Sequence, residues 1–188
     1  YAVRHKSEEV LLNSTSGGLF TAISDYVLEN DGYIVGAAYD ESFSVHHIIV
    51  NTVEGRSRLR GSKYLQSRKE DVFPAIKHLL KEGKLVYFTG TPCEVAGFKA
   101  YLGRGFDNLI TSDLICHGVP SPSIFADYLK SIRRKFGGDT ISTVHFRSKK
   151  KGWKRLHISV RSTNKKYLGD EYTDVFFRLF FKELILRP

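Results

Sequence analysis

The chain has 188 residues, 41% of them hydrophobic, which is enough to bury one sizeable core, and we expect a single domain over 1–188. No stretch approaches the roughly 20 uninterrupted apolar residues of a membrane span, and the start is not a signal peptide, so we expect a cytoplasmic protein without membrane contact. The net charge of +9 predicts an anionic partner, and charge alone leaves nucleic acid, a phosphate-bearing cofactor and an acidic protein open.

The methionine and cysteine content indicates whether the sequence is part of a longer polypeptide and in which redox compartment the protein is found. The sequence contains no methionine, so we interpret it as a piece of a longer polypeptide. Cys93 and Cys116 are its only cysteines. Two cysteines are too few for a disulfide framework, which favours a reducing compartment with thiols available for metal or redox chemistry.

In the first half of the chain, a polar entry precedes two predicted helices and two predicted strands. A helix over 18–30 leads to a buried strand over 33–39, and a second strand over 45–53 is expected to pair with it as a hairpin. Over 56–67 the apolar residues follow neither the helical spacing nor the alternation of a strand, so we expect a loop there. An amphipathic helix over 70–82 ends at Gly83.

The second half predicts a parallel unit followed by a hairpin. A strand over 85–88, a helix over 93–102 and a strand over 108–115 form a strand, helix, strand unit with a right-handed crossover. A helix over 121–136 precedes antiparallel strands over 140–146 and 156–161, which flank the basic turn Lys149-Lys150-Lys151-Gly152-Trp153, and an apolar helix over 174–186 closes the chain. The fold class is therefore α/β: a mixed, partly parallel sheet flanked by helices, with an antiparallel hairpin near 140–161.

Two Gly- and Ser-containing segments are candidate anion or cofactor sites. Ser14-Thr15-Ser16-Gly17-Gly18 precedes a helix, where hydroxyls can cap and glycines let a phosphate approach free backbone amides. Gly61-Ser62-Lys63-Tyr64-Leu65-Gln66-Ser67 combines a cation, hydroxyls and an amide, a mixture that suits a polar anionic ligand. A plain serine cap and a solvated basic loop, respectively, remain the alternatives.

Both cysteines lie where a predicted strand ends. Thr91-Pro92-Cys93-Glu94 has the pattern of a capping box, and the helix start favours thiolate at Cys93. Cys116-His117 follows the next strand, so both thiols are expected at one sheet edge, while His117 is a candidate proton donor, ligand or structural histidine. Cys93 as a small buried hydrophobe is the alternative. Two ligands do not complete a metal site, because zinc and iron–sulfur clusters take about four.

Together these segments resemble the beta-subunit family of coenzyme F420-reducing hydrogenase and formate dehydrogenase, which also includes 7-hydroxymethyl chlorophyll reductase. The matches fall in family order over nearly the whole chain: 14–18, 36–40, 61–67, 88–97, 107–109, 113–122, 146–149 with 152–153, and 186–188. Several long matches in order are more specific than any one motif.

The resemblance implies an FAD and iron–sulfur protein that passes electrons between a ferredoxin-type partner and an organic acceptor. It implies that Cys93 and Cys116 ligate a 4Fe–4S cluster, with the other two thiolates supplied by a Cys-x-x-Cys segment after Arg187-Pro188, and that a ferredoxin-like domain precedes residue 1. Glu94 stands where the family usually has glutamine. The expected FAD-binding residues are Ser14, Ser16, Gly17, Gly18, Gly61, Ser62, Lys63, Tyr64, Gln66, Ser67, Gly90, Thr91 and Pro92.

The leading hypothesis is therefore a flavin and iron–sulfur oxidoreductase subunit whose acceptor is a compound such as a deazaflavin coenzyme and whose partners are hydrogenase or dehydrogenase subunits. One alternative is a basic module that binds nucleic acid or protein through Trp153 and its neighbours; we favour it less because a charge run is usually a solvated face. Another is a thiol enzyme that uses Cys93 with His117, for which the sequence offers no orienting residue.

Overall fold

The computed structural model describes residues 2–148 and 156–187, and these divide into two compact units. The first unit contains the described residues up to Asp40 together with Val45–Arg60 and Ser67–His117; the second contains Glu41–Ser44, Gly61–Gln66 and the described residues from Gly118 onward. The predicted basic turn around Trp153 lies outside the described residues. Within them, no helix is both long enough and apolar enough to cross a membrane.

A four-stranded sheet forms the centre of the first unit. Its strands are β1 (Tyr33–Tyr39), β2 (Val45–Val50), β3 (Val86–Gly90) and β4 (Leu109–Asp113), in the order β2-β1-β3-β4. β1 pairs antiparallel with β2 and parallel with β3, and β3 pairs parallel with β4. This confirms the predicted mixed, partly parallel sheet and the hairpin at its edge.

Helices cover both faces of this sheet, as expected where strands read as continuous apolar runs. They are α2 (Leu19–Glu29), α3 (Val53–Leu59), α4 (Val72–Lys81) and α5 (Pro92–Leu102), and α1 (Glu8–Asn13) precedes them in the chain. Val86 and Phe88 pack with Ile76 of α4 and Phe98 of α5. Tyr87 points to the other face and packs with Val27 of α2 and Leu59 of α3. β3 is therefore buried on both sides.

Two of the predictions for the first unit were wrong. The expected loop over 56–67 begins as α3, because the Thr52 hydroxyl accepts the Gly55 amide at 3.1 Å and caps a helix in which Arg56 and Leu59 are buried. That helix also ends the second strand at Val50 rather than at residue 53. The polar entry contains α1, whose first turn carries Glu8 and Glu9, a placement that the helix dipole favours.

The second unit contains a three-stranded antiparallel sheet. The helices and strands of this unit are β5 (Val119–Pro120), α6 (Pro122–Lys135), β6 (Ile141–His145), β7 (His157–Ser162), β8 (Lys166–Asp170), α7 (Val175–Phe181) and β9 (Leu186–Arg187). The sheet consists of β6, β7 and β8. The pairing of β6 with β7 confirms the hairpin predicted near 140–161, and β8, which was not predicted, adds a third strand to it. β5 and β9 form a separate two-stranded pair.

The closing helix is shorter than predicted. The sequence predicted a helix over 174–186, but α7 ends at Phe181 and Glu183 adopts a positive φ of 60°. The residues that follow form β9 rather than another helical turn. The apolar residues over 184–186 led the sequence analysis to extend the helix, but one of them, Leu184, is 68% exposed and is not part of α7.

A buried carboxylate joins α6, β8 and α7 in the second unit. Asp174, only 1% exposed, caps α7 by accepting the Phe177 amide at 2.8 Å. Its other oxygen accepts hydrogen bonds from the hydroxyls of Tyr128 at 2.8 Å and Tyr167 at 2.9 Å. Burial, and then the charge of Asp174, raise the pKa of both tyrosines, so that they remain donors.

Replacing Asp174 with alanine should lower the free energy of unfolding of the full-length protein by about 2 to 4 kcal/mol, because three donors, two of them buried, lose their acceptor. Tyr128→Phe or Tyr167→Phe should each cost about 1 kcal/mol. Urea denaturation measures these losses. Tyr172→Phe is the matched control, since Tyr172 is 73% exposed. Equal losses in Tyr172→Phe, Tyr128→Phe and Tyr167→Phe would contradict this network.

Candidate functional site

The candidate site lies at the carboxyl end of β3, where the chain turns into α5. Pro92 occupies the first helical position, and the predicted capping box between Thr91 and Glu94 is present. The Glu94 carboxylate accepts the Thr91 amide at 2.8 Å, and the Thr91 hydroxyl lies 3.1 Å from the Cys93 sulfur. Cys93 is exposed, so the alternative of a small buried hydrophobe is wrong.

Cys116 follows the neighbouring strand at the same edge of the sheet. β4 runs parallel to β3 with Gly90 opposite Asp113, and the Leu114 amide donates to the Gly90 carbonyl at 3.1 Å. Cys116 comes two residues later and is also exposed, and neither cysteine forms a disulfide. The topology therefore brings both thiols to the carboxyl edge of adjacent parallel strands, the edge where α/β sheets commonly bind ligands.

Two thiols are half of the four ligands that zinc or a 4Fe–4S cluster takes. No group of three or more His, Cys, Asp and Glu side chains within the described part of the chain is arranged to hold a metal ion. A 4Fe–4S cluster typically takes four thiolates, so Cys93 and Cys116 could supply two of them and residues outside this sequence would have to supply the others.

A partly buried ion pair lies behind this turn. Glu94, with a side chain 14% exposed, forms an ion pair with Lys69, and its second oxygen lies 4.0 Å from Nε2 of His47. Burial raises the pKa of Glu94, but the hydrogen bond from Lys69, the Thr91 amide and the nearby charges outweigh burial and hold the pKa below its ordinary value. Glu94 therefore stays ionised at neutral pH.

His47 connects this carboxylate to the loop that precedes Lys69. Its Nε2 donates to the Thr89 carbonyl at 3.1 Å, and its Nδ1 lies 2.7 Å from the Ser67 hydroxyl. The imidazole stacks on Phe88 with ring centroids 5.4 Å apart. Because a carbonyl only accepts, Nε2 carries a proton; Nδ1 accepts from Ser67 when the ring is neutral and donates to it when the ring is protonated.

Sequence reasoning did not find His47 or Lys69 as members of this site. The available signal was the alternation of β2, where Val45 and His47 share the buried face. A histidine at a buried position of an alternating strand needs hydrogen-bond partners, and here it finds them in Thr89 and Ser67.

The segment expected to bind phosphate at the start of α2 is largely occupied by the chain itself. Gly18 caps α2 with a positive φ of 84° and no side-chain bond, so the prediction of serine capping there was wrong. A side chain at Gly17 would collide with the Val3 carbonyl, and the Ser14 hydroxyl donates to the Val10 carbonyl at 2.6 Å. Only Ser16 is exposed.

The second glycine-containing segment is divided between the two units. Gly61 has a positive φ of 81° and open space around it. Tyr64 stacks on Phe180 with ring centroids 4.7 Å apart, and Gln66 accepts from Arg187 at 2.9 Å, so these two serve the second unit. Burial lowers the pKa of Lys63 to about 8, and Ser62 precedes it as a half-buried residue. Ser67 belongs to the first unit and bonds His47.

The FAD assignment therefore fits its expected residues unevenly. Ser14, Gly17, Tyr64 and Gln66 already have partners in the fold. Gly90, Thr91 and Pro92 form a strand-to-helix turn at the carboxyl edge of the sheet, where α/β proteins commonly bind ligands. The Thr91 amide is bonded to Glu94 and Pro92 has no amide hydrogen, so these two residues offer a cofactor no backbone donor.

Glu94→Gln tests the ion pair with Lys69, because glutamine keeps the capping bond to the Thr91 amide and removes the charge. Above the ordinary carboxyl pKa of 4.5, the wild type should be more stable by about 1 to 2 kcal/mol. As the pH falls through the lowered pKa of the folded state, Glu94 is protonated and this advantage disappears.

Urea denaturation at pH 7, 5, 4 and 3 measures that difference. Glu82→Gln is the control, because Glu82 is an exposed partner of His78 on α4 and should change stability by less than about 0.5 kcal/mol. A difference between Glu94→Gln and wild type that stays constant from pH 7 to pH 3 would show that the ion pair does not contribute.

Comparison with known proteins agrees with the resemblance read from the sequence. The family described as the C terminus of the coenzyme F420 hydrogenase/dehydrogenase beta subunit matches residues 83–179. None of the curated proteins matches this sequence significantly. The xenon-derivatized F420-reducing NiFe hydrogenase complex from Methanosarcina barkeri contains a chain of similar fold, with a TM-score of 0.59 and 20% identity, and the alignment covers 100% of this chain and 64% of that one.

The two comparisons differ in what they establish. At 20% identity the structural likeness shows a shared fold, and this chain spans less than two thirds of the length of that neighbour. The family match is a sequence match, and it includes β3, α5 and both cysteines within residues 83–179, just over half of the chain. This chain therefore belongs to the coenzyme F420 hydrogenase/dehydrogenase beta-subunit family.

Proposed function

We propose that the chain is the FAD- and 4Fe–4S-binding part of an oxidoreductase subunit that passes electrons between a ferredoxin-type donor and an organic acceptor such as a deazaflavin coenzyme. Hydrogenase or dehydrogenase subunits are its proposed partners. The proposal combines the family with the chemistry of the sheet edge that carries Cys93 and Cys116.

One observation carries this proposal: two exposed thiols follow neighbouring, hydrogen-bonded parallel strands within the family-matched region. Cys93 lies exposed in the first turn of α5, so its sulfur is accessible to a cluster. The Thr91 hydroxyl, 3.1 Å from that sulfur, adds a hydrogen bond of the kind that tunes cluster potential. Both features support metal ligation by Cys93.

FAD, when bound, supplies hydride and one-electron chemistry. In this chain, the turn Gly90-Thr91-Pro92 is the proposed contact of the first unit with that cofactor. Glu94 keeps the turn in place through the Thr91 amide, and the closed capping box leaves the strand end rigid. A rigid turn holds a cofactor in one orientation without further ordering of the chain.

The full-length protein, purified without oxygen, should show flavin absorption bands with a broad iron–sulfur shoulder. Cys93→Ser and Cys116→Ser should each remove most of the iron and the shoulder, because each removes one of two thiolates that this sequence supplies. Iron and acid-labile sulfide analysis and electron paramagnetic resonance measure the loss.

Ile115→Ala is the matched control, because Ile115 is fully exposed beside Cys116 and carries no ligand atom. It should keep the cluster. A colourless, iron-free wild-type preparation, or one whose iron survives the removal of both cysteines, would refute the cluster assignment.

A further inference from the structure

One face of β6 and β7 in the second unit is polar although much of it is buried. In the strand register Thr143 lies opposite Arg161, and His145 lies opposite Ser159. In an antiparallel pair, two residues directly opposite each other project to the same face of the sheet, and so do residues i and i+2 of one strand. These four side chains therefore share one surface, while Val144 and Val160 project from the other face into the core.

This face contains buried polar atoms without partners. Ser159 is 2% exposed. Within the described residues, the hydroxyls of Ser159 and Thr143 and Nε of Arg161 are buried and form no hydrogen bond. A buried polar atom without a partner costs about 1 to 3 kcal/mol, so three such atoms on one surface are groups that a bound ligand or ordered water would satisfy.

The charges around this face are cationic. Burial lowers the pKa of His145, and the positive charges of Arg161 and Lys63 lower it further, so both cations act on this imidazole. Arg147 interacts with the neighbouring Tyr64 hydroxyl. Two carboxylates belong to the ends of this sheet. Asp170 lies opposite His157 in the strand register, and Asp139 accepts a hydrogen bond from the Ser162 hydroxyl at 3.3 Å.

We propose that this face, through Thr143, Ser159, Arg161 and Lys63, binds the phosphate group of a nucleotide or of another phosphorylated ligand. A guanidinium fork, an ammonium group and two hydroxyls supply more donors than one carboxylate can accept, and they suit the three terminal oxygens of a phosphate. His145, which is exposed at the end of the group, contributes a further ring nitrogen.

This site extends the proposed function and is separable from its iron–sulfur part, because Cys93 and Cys116 belong to the other unit. Either a flavin nucleotide or a phosphorylated acceptor provides the same chemistry. The experiment therefore begins with inorganic phosphate and then asks which molecule carries the phosphate.

Isothermal titration of the full-length protein with inorganic phosphate, after removal of bound anions, should show binding. Arg161→Gln and Lys63→Gln should each weaken it about tenfold or more, as expected for loss of a charge-assisted hydrogen bond. Arg178→Gln, which removes an exposed cation from α7 of the same unit, should change the affinity less than about twofold.

Ser159→Ala separates ligand binding from stability. If the hydroxyl serves a ligand, its removal should leave the unliganded protein as stable as wild type or more stable, while phosphate affinity falls about threefold or more. This variant keeps the test decisive even where Arg161→Gln does not fold. Unchanged phosphate affinity in Ser159→Ala and Arg161→Gln, or no phosphate binding by the wild type at millimolar concentration, would overturn the proposal.

A competition arm identifies the source of the phosphate. If FAD displaces phosphate and Arg161→Gln weakens binding of FAD but not of riboflavin, the site holds the flavin nucleotide. If phosphate binds equally with and without saturating FAD, the site serves another phosphorylated ligand. The iron content of each variant is measured in parallel and should stay at the wild-type level, so that failure here is distinct from failure of the cluster assignment.

Discussion

The ionised carboxylate of Glu94, held within the first unit, is the interaction on which the candidate site depends. It is bound by the Thr91 amide and Lys69, and His47 lies 4.0 Å away. One side chain thereby connects the start of α5 with β2 and with the loop before α4. Burying a charge is unfavourable unless it is paired and hydrogen-bonded. The first-unit partners that pair it also fix the turn from which Cys93 projects.

The parts of the fold that the sequence predicted are those encoded by adjacent residues. The capping box needs only Thr91, Pro92 and Glu94, and the buried strand β3 is an uninterrupted apolar run. The placement of both cysteines at one edge followed from the parallel pairing of two successive strands. Local propensity and tertiary structure agree at these positions, which is the condition under which sequence reasoning succeeds.

The remaining features depend on contacts between residues distant in sequence. His47 meets Ser67 and Thr89 only after the sheet has formed. The loops expected to hold a cofactor contain Gly17 and Tyr64, whose positions are explained by Val3 and Phe180 instead. A serine, glycine or tyrosine in a loop has the same local pattern whether its partner is a ligand or the chain itself. Short helices such as α3 gave too few turns for the helical period to be recognised.

The path of the chain has a consequence for how this protein can be dissected. Residues 41–44 and 61–66 belong to the second unit although residues of the first unit flank them on both sides. Tyr64, within the second of these insertions, stacks in the aromatic core formed by Phe146 and Phe180. A cut after His117 keeps every residue of the first unit, but residues 41–44 and 61–66 stay with it, so the second unit loses Tyr64 from its aromatic core. The family match begins at residue 83, inside the first unit, so its boundary does not coincide with a border between the two units.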